Sequence, residues 1–164
     1  MRSLVGTSII TISLLAPGRI CYAQKANFSG SWQLDQQRTE LGNIPASAAS
    51  NSIKVDQRKD SIFIERIGTT HVLEGLPMNG MAAQVRFYGG TKMAAVEFVT
   101  GGLSMEESAS YILDSAAIPG VVYPLTSKEV WTLSDSDRTL QIVRTVSTVS
   151  NGNYSIKAVY TKQD

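Results

Sequence analysis

From Phe28 onward the apolar positions recur at every second residue. Phe28, Gly30, Trp32 and Leu34 fall on one side, and Ser29, Ser31, Gln33 and Asp35 on the other, as in a strand with one wetted face. Ile53 and Val55 alternate with Lys54 and Asp56, Lys59-Asp60 reads as a turn, and Ile62 and Ile64 share a face in the run that follows. The same alternation predicts strands over residues 70–76, 82–88, 92–100, 103–113, 121–133, 139–149 and 154–162. Between them lie residues 77–80, Gly89-Gly90, Gly101-Gly102, Asp135-Ser136-Asp137 and Asn151-Gly152. Glycine and Asn-Gly accept the positive φ of tight hairpins. The best candidate for helix is the segment 36–50, where Gly42 and Pro45 limit it to a turn or two. An all-β fold is expected: a single antiparallel up-and-down barrel of about eight to ten strands with little helix, since closure removes exposed sheet edges. A two-sheet sandwich is the rival arrangement.

The first 23 residues read differently, as an export signal. Arg2 is followed by the apolar run LVGTSIITISLLA, Pro17-Gly18 breaks it, and Cys21-Tyr22-Ala23 places small residues for a cut after Ala23. The run is too short for a permanent membrane span. The mature domain, residues 24–164, is therefore expected to be secreted or periplasmic. Arg19-Ile20 before Cys21 does not fit a lipoprotein cut, and cleavage removes the only cysteine of the chain.

Composition narrows the chemistry. The 164 residues are 43% apolar and 18% charged, with 15 basic against 14 acidic side chains. A net charge of +1 gives no phosphate-facing excess, so nucleic acid is not an expected partner. One histidine and one cysteine cannot build a cysteine- or histidine-based zinc site. Asp135-Ser136-Asp137 lacks the remaining ligands of a calcium loop. Gly102-Leu103-Ser104-Met105-Glu106 lacks the second glycine of a nucleophile elbow, and no glycine pair opens a helix that would cradle phosphate. No catalytic residue, metal or cofactor is expected; an enzyme would have to take acid–base chemistry from Glu107, Glu129 or His71.

Charge on apolar strand faces is the unexpected feature. Arg66 follows Ile62 and Ile64 in phase, and Glu107 shares a face with Met105, Ala109 and Tyr111. Glu129 precedes Trp131 and Leu133 in phase, and Arg144 lies in phase with Leu140, Ile142 and Val146. If these faces line a lumen, two arginines and two glutamates point inward, where an unpaired charge is costly. Either Arg66 or Arg144, with Tyr111, grips the polar head of a ligand, or each arginine pairs with a glutamate. Trp32 and Trp131 are expected in the core, Tyr88, Tyr123 and Tyr160 at a barrel mouth with buried rings and wet hydroxyls, and His71 as a surface or hydrogen-bonded strand residue.

The segment Phe28-Ser29-Gly30-Ser31-Trp32-Gln33-Leu34 resembles the first strand of the lipocalin and fatty-acid-binding barrels, whose opening signature is Gly, any residue, Trp. The C-terminal stretches Trp131–Ser134, 139–144 and 157–163 look like the small secreted lipocalin-like domains of bacteria. In lipocalins an arginine near the end of the barrel packs across the opening tryptophan, which makes Gly30, Trp32 and Arg144 the implied structural signature. The resemblance implies a barrel; with the charges on its inward faces, the expected function is binding of a small hydrophobic molecule without catalysis, and Arg66, Glu107, Tyr111, Glu129 and Arg144 are the candidate ligand-binding residues. The chain departs from lipocalins in having no helix after its last strand, and from fatty-acid-binding proteins in having little room for two helices after its first. The alternative function is a filled barrel that meets a protein partner through its surface, with the apolar loop from Ala116 to Val122 as the contact.

Overall fold

The period-two alternation becomes ten antiparallel strands in a computed structural model that describes residues 25–87, 89–113, 125–148 and 152–164. They are β1 (Gly30–Leu34), β2 (Ser52–Gln57), β3 (Ser61–Ile67), β4 (His71–Pro77), β5 (Ala83–Phe87), β6 (Gly90–Val99), β7 (Ser104–Leu113), β8 (Leu125–Ser134), β9 (Thr139–Thr148) and β10 (Gly152–Gln163). One sheet runs β4-β3-β2-β1-β10-β9-β8-β7-β6-β5. Its end strands β4 and β5 lie side by side without a hydrogen-bonded ladder. The result is a nearly closed up-and-down barrel with one seam. Segment 36–50 contains only a 3-10 turn, Ala46–Ala48, which suits the glycine and proline that interrupt it. The leader, Tyr88, Tyr123, Asn151 and the loop from Ala116 to Val122 fall outside the described residues.

Side chains of alternate residues fill the lower half of the lumen. Phe28, Trp32, Ile62, Val96, Met105, Trp131 and Leu140 are all shut off from solvent. Phe28 plugs the bottom: its ring meets Trp131 edge-on at 6.1 Å, and its carbonyl accepts from the Trp32 indole at 2.9 Å. Gln57 holds this plug from β2, accepting from the Phe28 amide and donating to the Ala26 carbonyl. At the opposite end, residues 39–50 cross the barrel mouth. Glu40 bridges to Lys157 of β10, and Ala49 is buried beneath the crossing chain. Turn Asp135–Asp137 bends back through three consecutive positive φ angles, 52°, 54° and 64°. The Asp135 carboxylate accepts from Thr139 at 2.8 Å, a local bond of the kind that lets aspartate tolerate this conformation.

The opening signature has a physical basis that differs from the one the resemblance implies. Trp32 pairs with Lys162 across β1 and β10, and the Lys162 ammonium sits 5.2 Å from the centre of the Trp32 ring. Arg144 does not take that place; its bonds go to Glu129 and to the Ala48 carbonyl. Lys162 reaches the tryptophan because Gly30 has no side chain: a Cβ there would lie 2.7 Å from Lys162 Cε, and Gly30 holds a φ of +143°. Glycine therefore stands two residues before the tryptophan to admit both the backbone angle and the lysine stem. Lys162→Met should cost about 1 kcal/mol, the worth of a half-exposed cation–ring contact. Gly30→Val should cost more, because about 1–3 kcal/mol of backbone strain adds to the displaced lysine; urea unfolding of both variants checks the order.

Candidate functional site

The upper half of the lumen is ionic. Arg66 is the third inward residue of β3 after Ile62 and Ile64, so the strand that builds the apolar core also delivers a guanidinium above it. Its Nε donates to Glu74 Oε1 on β4 at 3.2 Å, and its Nη2 donates to Glu107 on β7 and Glu129 on β8, each at 2.8 Å. Lys92, the first buried side chain of β6 after Gly90, donates to Glu107 Oε1 at 2.6 Å and lies 3.0 Å from Glu74 Oε1. Arg144 on β9 completes the group. It donates through Nε to Glu129 Oε1 at 2.6 Å and through Nη1 to the Ala48 carbonyl of the crossing segment at 2.8 Å. Trp131 Nε1 donates to Glu129 Oε2 at 2.9 Å, and the Arg66 guanidinium stands 5.2 Å from the Trp131 ring centre.

These contacts set the ionisation of each group. Burial opposes the Glu129 charge, but Arg144, Arg66 and Lys92 outweigh it and hold the carboxyl well below the usual range. Glu107 goes the other way: burial and the Glu74 charge push its carboxyl up, and Arg66 and Lys92 only partly offset them. Burial disfavours the charge on Arg66, Lys92 and Arg144, yet the facing carboxylates raise all three above their ordinary values. Burial pushes the Tyr160 hydroxyl up to about 12. One oxygen of the cluster, Glu74 Oε2, is buried without any hydrogen-bond partner.

Beside the cluster lies a cavity of about 200 Å³. Ser47, Ala48 and Ser50 of the crossing segment roof it, and Thr70, Val72 and Glu74 wall it along β4. Phe87, Lys92 and Tyr111 face them from the other side of the seam. The Phe87 and Tyr111 rings pack edge-on at 5.8 Å, and the Tyr111 hydroxyl is 3.1 Å from Ser127 Oγ. The cavity thus offers one partly apolar wall and a floor of ions.

All five candidate ligand-binding residues meet here. Glu107 and Glu129 form the floor of the cluster, Arg66 spans it, and Arg144 and Tyr111 border the cavity. Pairing of arginine with glutamate is the arrangement found for both Arg66 and Arg144. Two members escaped the sequence reading, Glu74 and Lys92. Both carry the same signal as the others, since Glu74 is in phase with Val72 and Leu76, and Lys92 with Ala94 and Val96. Tyr160 is not at a wet mouth; it is 2% exposed, because Ala48 and Ala49 of the crossing segment pack near it. His71 faces solvent and pairs with Glu65 at 2.8 Å, away from the lumenal carboxylates. Among the described residues no group of three histidine, cysteine or acidic side chains is placed to hold a metal ion, and no helix is long and apolar enough to cross a membrane.

Removing one member of a buried ion network strands its partners, at about 3–5 kcal/mol. Glu129→Gln should therefore cost that much at pH 7, whereas Lys128→Ala, which breaks an exposed pair with Glu106, should cost less than about 1 kcal/mol. Because the folded Glu129 carboxyl lies below its ordinary value of 4.5, its contribution is present above that pH and fades as the pH falls below it. Glu107 has the opposite sign. Its raised carboxyl makes the folded state bind its proton more readily, so its ionisation subtracts stability as the pH rises above 4.5. Glu107→Gln should accordingly cost less than Glu129→Gln at pH 7. Denaturant titrations of the wild type and both variants between pH 3 and 8 check the ordering and its collapse in acid.

No family model matches the sequence, and comparison with curated proteins finds no relative. The barrel itself has a counterpart among solved structures. The zebrafish ileal bile acid-binding protein, crystallised with cholic acid, superposes with a TM-score of 0.53 over 83% of this chain and 98% of its own, at 14% sequence identity. An identity so low speaks for architecture alone. Ten antiparallel strands, an opening Gly30-x-Trp32 and this superposition give the chain the fold of the lipocalin and fatty-acid-binding barrels.

Proposed function

We propose that the barrel binds a small molecule in the upper lumen and performs no chemistry on it. The observation that carries this reading is the cavity itself: concave, roofed by the crossing segment, with apolar groups on one side and convergent polar groups on the other. Its size points to the ligand. Cavities of about 150 Å³ hold benzene, and sites for drug-sized ligands run to about 300–1,000 Å³. A volume of about 200 Å³ therefore favours a small amphipathic molecule, with a ring or short chain against Val72, Phe87 and Tyr111 and a polar head on the ions. That the similar barrel was crystallised with cholic acid supports small-molecule binding by this architecture. The filled lower half of this lumen favours a smaller guest.

Val72→Trp should fill the cavity from β4, leave the ionic floor in place and weaken binding of a small aromatic probe at least tenfold, about 1.4 kcal/mol. Native mass spectrometry of the purified protein, together with titration of benzamide into wild type and variant, checks this. Equal binding by both would overturn the lumenal site. We further propose that the chain is exported and cut after Ala23, on the strength of the leader read in the sequence. The intact mass of the secreted product should then correspond to a chain that begins at Gln24.

A further inference from the structure

The ionic floor is balanced before any ligand arrives. Among the described residues of the upper lumen, three cations (Arg66, Lys92 and Arg144) face three carboxylates (Glu74, Glu107 and Glu129). Arg66 is bonded to all three carboxylates, Lys92 meets Glu74 and Glu107, and Arg144 is bonded to Glu129. An entering carboxylate would add an unmatched negative charge, or displace a glutamate and leave that one buried and unpaired; either is costly beside buried ions. One buried acceptor of the cluster is also left without a donor. Glu74 is 1% exposed and its Oε2 has no donor. A hydroxyl, amide or proton can serve that oxygen, whereas an acceptor-only group cannot.

We propose that this lumen takes an uncharged hydrogen-bonding head group, and that an acid enters it only together with one proton. The inference rests on the lumenal reading above and names the chemistry of its ligand. The proton goes to Glu107, which is faced by Arg66 from β3, Glu74 from β4, Lys92 from β6, Glu129 from β8 and, along its own strand, Tyr111. Arg144 of β9 and Tyr160 of β10 stand behind Glu129. Two neighbouring carboxylates and full burial already favour protonation at Glu107. Once Glu107 is neutral, the three cations face two glutamates and the ligand carboxylate. The charges balance again, with one proton taken from solvent per acid bound.

The test uses three probes with the same ring: benzoate, benzamide and benzyl alcohol. Isothermal titration calorimetry at pH 7, in buffers of different ionisation enthalpy, counts the protons taken up. Benzamide and benzyl alcohol should bind at least tenfold more tightly than benzoate and without proton uptake. Benzoate should take up about one proton, and its affinity should fall about tenfold for each pH unit between 6 and 8. In Glu107→Gln, where the floor carries one excess positive charge, benzoate should gain at least tenfold and lose its proton uptake. The wild-type proton count stands as a test even if that variant fails to fold. Benzoate binding as tight as benzamide without proton uptake would overturn the inference and leave lumenal binding intact. Failure of all three probes, or binding that survives Val72→Trp, would overturn the lumenal site and this inference with it.

Discussion

The Arg66 guanidinium does what no backbone ladder does in this barrel. The sheet closes by hydrogen bonds at every neighbouring pair except β4 and β5. Arg66 reaches from β3 to Glu74 on β4 and, across the lumen, to Glu107 on β7 and Glu129 on β8. Lys92 on β6 then meets Glu74 over the seam itself. Edge strand β4 is thus tied to β6, the neighbour of edge strand β5, through side chains in the interior rather than through main-chain bonds at the wall. Apolar packing would have covered the same surface, but without the directional bonds that fix which strands stand opposite one another.

The same network divides the lumen by chemistry. Below it, aromatic and aliphatic side chains interlock around Phe28 and Trp131, leaving that end sealed. Above it, the ions cannot collapse onto one another without losing hydrogen-bond geometry, and the crossing segment covers them only loosely, with a cavity left between. Apolar packing is therefore concentrated at the plugged end and open space at the roofed end. The opening tryptophan belongs to the first of these, and the paired arginines to the second.

Legibility in the sequence followed the range of the interactions. Strand positions and inward faces were readable, because alternation is local and Ile62, Ile64 and Arg66 sit side by side in the chain. The inward charges were readable for the same reason, although Glu74 and Lys92 were passed over despite an identical phase. What covers Trp32 was not readable. That depends on β1 meeting β10 in the register that sets Trp32 opposite Lys162, a pairing across almost the whole chain that no local pattern encodes. The burial of Tyr160 was hidden likewise, since it depends on where residues 48 and 49 cross the mouth.

The pairing of β1 with β10 also orders events in time. Strand β1 has two neighbours, and one of them is β10, the last of the ten described strands in chain order. Until Gly152–Gln163 exist, Trp32 lacks its lysine, the crossing segment lacks its bridge from Glu40 to Lys157, and the barrel has no wall between its first and ninth strands. Contacts of such sequence separation form late and slowly, after the loop entropy of the whole chain has been overcome. A polypeptide with this topology stays open until β10 has been made, which leaves it threadable up to that point.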